Sequence, residues 1–356
     1  MTGLQTADSD YWKMRISNAM ASAHHYLGDI DGELQWLDEA WAHAERSRSD
    51  FFKARILSNR GGMLYYLGRF AEAADQNRLS AAWARRVGNT FEFIAGCVGV
   101  GICSIHLANY EHACAAASEI AASARVLKDP HYTAKALEIE GLAYYFLGLH
   151  DAAQRCVRDG LASLRNRGHI EVRPRLDWLM ARILRSKGEV DESRALLLEA
   201  ERRLLKTRDM EDLWGVQIEL NLIEAGLGNP EAAIAGINKI LRESEQKKFL
   251  VVAVPAALAI AEILDDQRID REDLGNTIAV GLERAERSGM RELAWRLSYR
   301  MGALAWKAGE DREGQARCTH AIRILREIAS TLTDDHRKAY LAAAHVASAL
   351  QQMGAP

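Results

Sequence analysis

A pair of small residues seven places apart returns along this chain every forty residues, and that period limits the fold more than any other feature. Gly61 and Gly68 are followed by Gly101 and Ala108, then by Gly141 and Gly148. Upstream the pair is Ala21 and Gly28. Downstream it is Ala181 and Gly188, then Asn221 and Gly228, still in step. It fades between Glu262 and Arg268 and returns one residue late as Gly302 and Gly309. A fixed period of this size marks a chain built from repeated supersecondary units, none of which buries its apolar face alone.

Each unit has the same anatomy. Apolar residues at helical spacing, such as Ile56, Leu57, Leu64 and Leu67, lead to the second glycine, and a second amphipathic run opens two residues later with Phe70, Ala73 and Ala74. Recurrence at three and four residues argues helix, and a glycine after the last periodic position is a stop signal. The units are therefore helical hairpins. The spacing predicts helix pairs at 11–27 and 31–48, 51–67 and 71–87, 90–107 and 111–127, 131–147 and 151–167. It continues with 173–187 and 191–206, 211–227 and 230–247, 254–265 and 272–288, 291–308 and 312–329, and a last single helix at 334–352. Pro130, Pro174, Pro230 and Pro255 each land near a predicted helix start, where a missing N–H costs nothing. Asp31 and Thr333 read as N-caps. The first small residue of each pair falls mid-helix, where glycine costs about 1 kcal/mol relative to alanine, so a closely crossing neighbour must require it.

At this point the chain resembles the tetratricopeptide repeat family. That family's unit carries small residues at its eighth and fifteenth places, an apolar or aromatic residue two further on, and alanines beyond. Gly61, Gly68, Phe70 and Ala73 fit, with Ser80 for the last alanine; Gly141, Gly148 and Ala153 fit, with Gly160 last. Gly101, Tyr110 and Ala113 fit with Ala108 replacing glycine, and the first unit gives Ala21, Gly28, Ile30 and Ala40 but Glu33 in an alanine place. The forty-residue period exceeds the usual thirty-four, so each helix is longer by nearly a turn. Long units of this kind are typical of bacterial multidomain signalling regulators. The resemblance implies an all-α, right-handed superhelical solenoid of about eight hairpins over 1–330, closed by a C-terminal capping helix and tail over 331–356.

Composition narrows the function. Forty-six Lys plus Arg stand against 49 Asp plus Glu, a formal charge of −3, which gives no net attraction for nucleic acid or an anionic membrane. The polar start is unlike a secretion signal, and the longest apolar run, 249–261, is interrupted by proline and too short to span a bilayer. A cytoplasmic chain is expected. The five cysteines include no Cys-x-x-Cys pair and fall on apolar helix faces, as small core residues do. His24 and His25 are adjacent on a helix and point about 100° apart, so they cannot share a metal. No nucleophile, metal motif or phosphate loop converges, so neither catalysis nor a cofactor or metal is expected.

The first helix of each pair is the informative one, since in tetratricopeptide arrays it lines the concave surface. The resemblance places Asn18 and His25 there in the first unit, and Arg55, Asn59, Tyr65 and Tyr66 in the second. The fourth supplies Lys135 and Tyr145, and the fifth Arg175, Trp178, Arg182 and Arg185. Tyr, Trp and Arg dominate binding hot spots, and Arg forks onto carboxylates. The alternative is that the aromatics pack between neighbouring helices and the arginines pair with adjacent glutamates. The leading expectation is a non-enzymatic scaffold or sensor that takes a protein or peptide, with an acidic or C-terminal segment as the expected contact, in a bacterial signalling system. Another is a regulator that captures a small signalling peptide or ligand and changes superhelical pitch. The sequence leaves the oligomeric state open.

Overall fold

The computed structural model describes residues 9–27, 29–47, 50–164, 172–207, 209–267 and 272–354. Among these the chain is helical throughout, with short turns. The first helices of the hairpins are α1 (Asp10–Leu27), α3 (Asp50–Tyr66), α5 (Thr90–His106), α7 (Pro130–Phe146), α9 (Arg173–Ser186), α11 (Met210–Gly226), α13 (Leu250–Gln267) and α15 (Arg291–Lys307). Their partners are α2 (Ile30–Ser47), α4 (Phe70–Arg86), α6 (Tyr110–Leu127), α8 (His150–Ser163), α10 (Val190–Thr207), α12 (Pro230–Gln246), α14 (Glu272–Arg287) and α16 (Asp311–Ser330). Two short helices follow, α17 (Asp334–Ala342) and α18 (Ala344–Gln352). No described helix is long and apolar enough to cross a membrane. The chain divides into two compact units, Met1–Cys103 and Ser104–Pro356.

The turn inside each hairpin explains the second small residue of the pair. At Gly148 the backbone takes φ +77°, the N–H of Gly148 donates to the Tyr145 carbonyl and that of Leu149 reaches back to Tyr144 at 2.8 Å. This closes the last carbonyls of α7 in a left-handed cap. Ala108 holds the same place with φ +53°, so the geometry belongs to the repeat and not to glycine alone.

The mid-helix glycines also have neighbours where the period demands them. In the first unit the Asn77 side chain of α4 donates to Ala73 O at 2.9 Å, and its amide fills the space where a Cβ on Gly61 or on Gly99 would lie. In the second unit a Cβ on Gly141 would stand 3.1 Å from Leu179 and 3.3 Å from Cys156. Gly141→Leu is expected to lower stability by about 1–3 kcal/mol through overpacking. A chemical melt at or above the parent midpoint would remove the close-crossing explanation.

Three local readings need correction. Pro255 lies inside α13, not at its start, because the turn at Lys248 (φ +58°) lets the helix open at Leu250. Asp29, not Asp31, caps α2: its Oδ1 accepts from Gly32 N at 3.0 Å. The single terminal helix is two, broken at Ala343 (ψ 133°) where the chain lies against Gly148. Gly28 and the connection at 268–271 lie outside the described residues.

The core of each unit is aliphatic and alanine-rich. In the second unit Ala134, Val157, Leu176, Leu179 and Ile183 form one cluster, and Ala181, Leu197, Leu213, Val216 and Ile223 the next. The second unit then returns to its own beginning. Arg291, at the start of α15, donates to Leu107 O at 2.9 and 2.7 Å and to Asn109 Oδ1 at 2.6 Å. The hairpins of this unit are thus closed into a ring.

Candidate functional site

In the first unit the candidate residues are knitted into the hairpins. Asn59 Nδ2 donates to Asn18 Oδ1 at 3.0 Å, joining α3 to α1. Arg55 is half exposed and 3.8 Å from Glu92. Tyr65 packs edge-on against Tyr66 and Phe70, both at 5.5 Å between ring centres, and Tyr66 also lies on the apolar cluster around Met14 and Leu37. Tyr66 is a core residue as much as a surface one. The side chain of His25 lies outside the described residues.

The second unit brings its candidates together. Helices α7, α9, α11, α13 and α15 lie side by side, and their inner faces meet in a layer of charge. Lys135 donates to Glu138 at 2.9 Å. Burial pushes the Lys135 ammonium below its ordinary pKa, helped by Arg175 and opposed by Glu138. Arg175 bridges three carboxylates: it hydrogen-bonds Asp212 and stands 3.9 Å from Glu138 and 3.7 Å from Asp209. Burial works against its charge, but Asp212 and Glu138 together outweigh it and raise its pKa.

Farther along α9, Arg182 and Arg185 share Glu219 of α11, at 3.2 and 3.1 Å. Arg182 also lies over the Tyr145 ring, 4.5 Å from its centre. Trp178 covers Gly215, filling the space a Cβ would take. On the facing helices Arg296 pairs with Glu262, and Arg300 with Asp265 and Asp266. Arg296, Arg300 and Arg185 hold the buried Glu262 carboxyl below its usual range against the pull of desolvation. The arginines therefore do pair with carboxylates on neighbouring helices, as the alternative reading of the sequence required.

The pairing is incomplete. Arg182 Nε, Arg185 Nε, Glu219 Oε2 and Trp178 Nε1 are all buried without a hydrogen-bond partner among the described residues. The two guanidinium groups sit at ion-pair distance from Glu219, but these atoms are not aligned to bond it. Buried polar atoms left this way cost about 1–3 kcal/mol each, and here two guanidinium Nε atoms and an oxygen of the carboxylate they share are left so together, with the Trp178 indole N–H on the same helix.

The alternative reading of the sequence offered arginine–glutamate pairing without naming Asp212, Glu219 and Glu262 as the partners, although a signal was present. Glu262 and Asp265 stand eighty residues after Arg182 and Arg185, two repeats on in the same register, with the charge reversed. Of these, Glu262 lies within the field of Arg185 and pairs with Arg296, while Asp265 pairs with Arg300 and Lys307.

Fold and site together define an all-α array of tetratricopeptide-like hairpins with a charged, aromatic inner face. No family model matches the chain, and no curated protein matches it in sequence. Among solved structures it is similar to a Rap protein complexed with competence and sporulation factor, at 11% identity and TM-score 0.70 over 91% of this chain and 87% of that one. It is also similar to the apo form of the quorum sensor NprR from B. thuringiensis, at 13% identity and TM-score 0.59 over 89% and 87%. NprR in complex with its cognate peptide NprX matches at 14% identity and TM-score 0.54 over 96% and 98%. At these identities the likeness is one of fold.

Proposed function

We propose that this chain is a non-enzymatic peptide-binding sensor or scaffold of a bacterial signalling system, working in the cytoplasm. The inner face of α7, α9 and α11 is the seat. The observation that carries the reading is the group of buried donors left open at Trp178, Arg182 and Arg185 beside Glu219. An acidic side chain or a C-terminal carboxylate would accept from both guanidinium groups, and a peptide carbonyl would accept from the indole N–H. Lys135 and Arg175 continue the charged face, engaged with Glu138, Asp209 and Asp212, while Tyr145 and Trp178 supply apolar area. In the first unit Asn18, Asn59 and Arg55 offer a smaller polar surface, with His25, Tyr65 and Tyr66 beside it in register. The fold neighbours support the ligand class, since the Rap and NprR structures include complexes with a competence and sporulation factor and a cognate peptide.

A peptide carboxylate would compete with Glu219 for its two arginines, so binding entails repacking α9 against α11. This favours a version of the second reading, in which the ligand shifts the packing of adjacent hairpins and not only their occupancy.

The test is binding of short extended peptides carrying Asp or Glu, with free or amidated C-termini, to the parent and to an Arg182→Ala/Arg185→Ala double variant. The double variant should bind at least tenfold more weakly and with a flatter salt dependence, because two charge contacts are gone. Equal binding by parent and variant, in a variant with a parental melting curve, would move the seat off this face.

A further inference from the structure

The terminal helices do more than cover the last hairpin. Thr333 heads α17 without a side-chain cap bond; instead its N–H donates to Glu111 of α6 at 2.8 Å. His336 Nδ1 lies 2.9 Å from the same carboxylate oxygen. One turn on, the Tyr340 hydroxyl donates to Glu292 Oε2 of α15 at 2.8 Å, and Tyr110 of α6 donates to that oxygen at 3.1 Å. Tyr110 stacks on Phe146 of α7 with ring centres 5.7 Å apart and planes 11° apart. Ala343 presses on Gly148, and His345 stacks on Trp295 while its Nε2 stands 3.4 Å from Glu292 Oε1. The segment thus touches the last first-helix, α15, and the opening helices of the unit, α6 and α7.

This joint links the two ends of the unit through aromatic and acidic groups. Elsewhere in the unit neighbouring hairpins meet through Leu, Ile, Val and Ala and through the ion pairs of the inner face. Here fully buried Tyr110, Tyr340 and Trp295 surround one buried carboxylate. Glu292 Oε1, Trp295 Nε1 and His150 Nδ1 remain without hydrogen-bond partners among the described residues. A polar joint only partly satisfied gains little from closing, since each group recovers hydration when it opens. Its bonds hang on two carboxylates, Glu111 and Glu292, so each set is lost together. The root of the segment, by contrast, is well tied: Arg337 donates to Ala329 O and Leu332 O, both at 2.9 Å.

We propose that α17 and α18 are a releasable latch. Seated on Glu111 and Glu292, they reinforce the closure that Arg291 and Tyr110 make directly; released, they stay anchored through Arg337 while the weakened joint opens and uncovers Tyr110, Phe146 and Trp295. The latch works whether or not the inner face takes a peptide.

Amide hydrogen exchange on the full chain tests this without any ligand. Tyr340→Phe removes one hydroxyl from Glu292, and Glu111→Ala removes the partner of Thr333 and His336. Each should speed exchange at least tenfold in α17, α18 and the facing parts of α6 and α7, leaving α9 to α13 at parental rates. Small-angle scattering of the same variants should show a larger radius of gyration. Unchanged exchange at α6 and α7, or an equal rise in every helix, would overturn the latch. Should Tyr340→Phe not fold, Glu111→Ala alone decides, since its carboxylate is partly exposed and, among the described residues, its hydrogen bonds go to the latch.

Discussion

Glu292→Ala is expected to destabilise the second unit by about 3–5 kcal/mol, the largest effect of any single substitution considered. The size follows from what is left behind. Two buried phenols lose their acceptor, the His345 ring loses the carboxylate 3.4 Å from its Nε2, and Arg296 loses one of the carboxylates that favour its charge. Stripping one partner from a buried ionic network costs this much because the others remain buried and unpaired. Glu292→Gln keeps an acceptor for the tyrosines and should cost less than half as much. Desolvation raises the Glu292 pKa, but His345, Arg296 and Tyr340 outweigh it, so the carboxyl lies below its ordinary value in the folded unit. A carboxylate depressed on folding contributes stability above the ordinary range and loses it as pH falls through the folded value. The parent should therefore weaken on acidification below about pH 4.5, and Glu292→Gln should weaken less steeply. Urea melts at pH 7 and pH 4 measure both effects. A Glu292→Ala midpoint within error of the parent would mean that the carboxylate does not hold the joint.

The second large effect is at Gly148. Gly148→Ala is expected to cost about 3–4 kcal/mol, from two separable sources. The left-handed conformation at φ +77° disfavours any side chain by about 1–2 kcal/mol. The added Cβ would also stand 3.1 Å from Ala343 Cα and closer still to its Cβ, so either α7 or the latch has to move. Gly188 provides the control, since it occupies the equivalent turn at φ +84° with nothing within 4 Å of an added Cβ. Gly188→Ala should cost only the conformational part. Equal losses at the two positions, measured by denaturant unfolding, would show that Ala343 does not constrain Gly148.

The repeat was legible because two local requirements recur in step. One is the left-handed turn near Gly68, Gly148 and Gly188; the other is the narrow crossing near Gly61 and Gly141. Both depend on backbone geometry, which a single residue type can announce. The misplacement of Pro255 has the opposite cause. The helix start there is set by Lys248, which adopts positive φ without being glycine and gives no sign of it in the sequence. The break at Ala343 is likewise silent, because alanine is a good helix former and the bend falls where the chain meets Gly148, a contact no local pattern announces. In the candidate site, Arg175, Arg182 and Arg185 were identifiable from register, but their engagement with Asp212 and Glu219 depends on the packing of α9 on α11. The joint at Glu292 was least accessible of all. It couples Tyr110, Glu292 and Tyr340 across most of the unit's length, and no local pattern encodes an encounter at that separation.

Closing the hairpins into a ring alters how the second unit can lose its structure. In an open stack each end hairpin has one neighbour, so melting begins at the termini and spreads inward, and special end repeats are needed to slow it. A ring has no such starting point while Glu292, Glu111 and Arg291 keep their contacts. Every hairpin then has support on both sides, and the unit behaves as a single cooperative block. Once those contacts part, α6–α7 and α15–α16 lose the support they gave each other, and the unit acquires the graded, fraying behaviour of a linear array. The joint therefore governs cooperativity as well as shape, and a few side chains at one place decide which of the two regimes the whole unit is in.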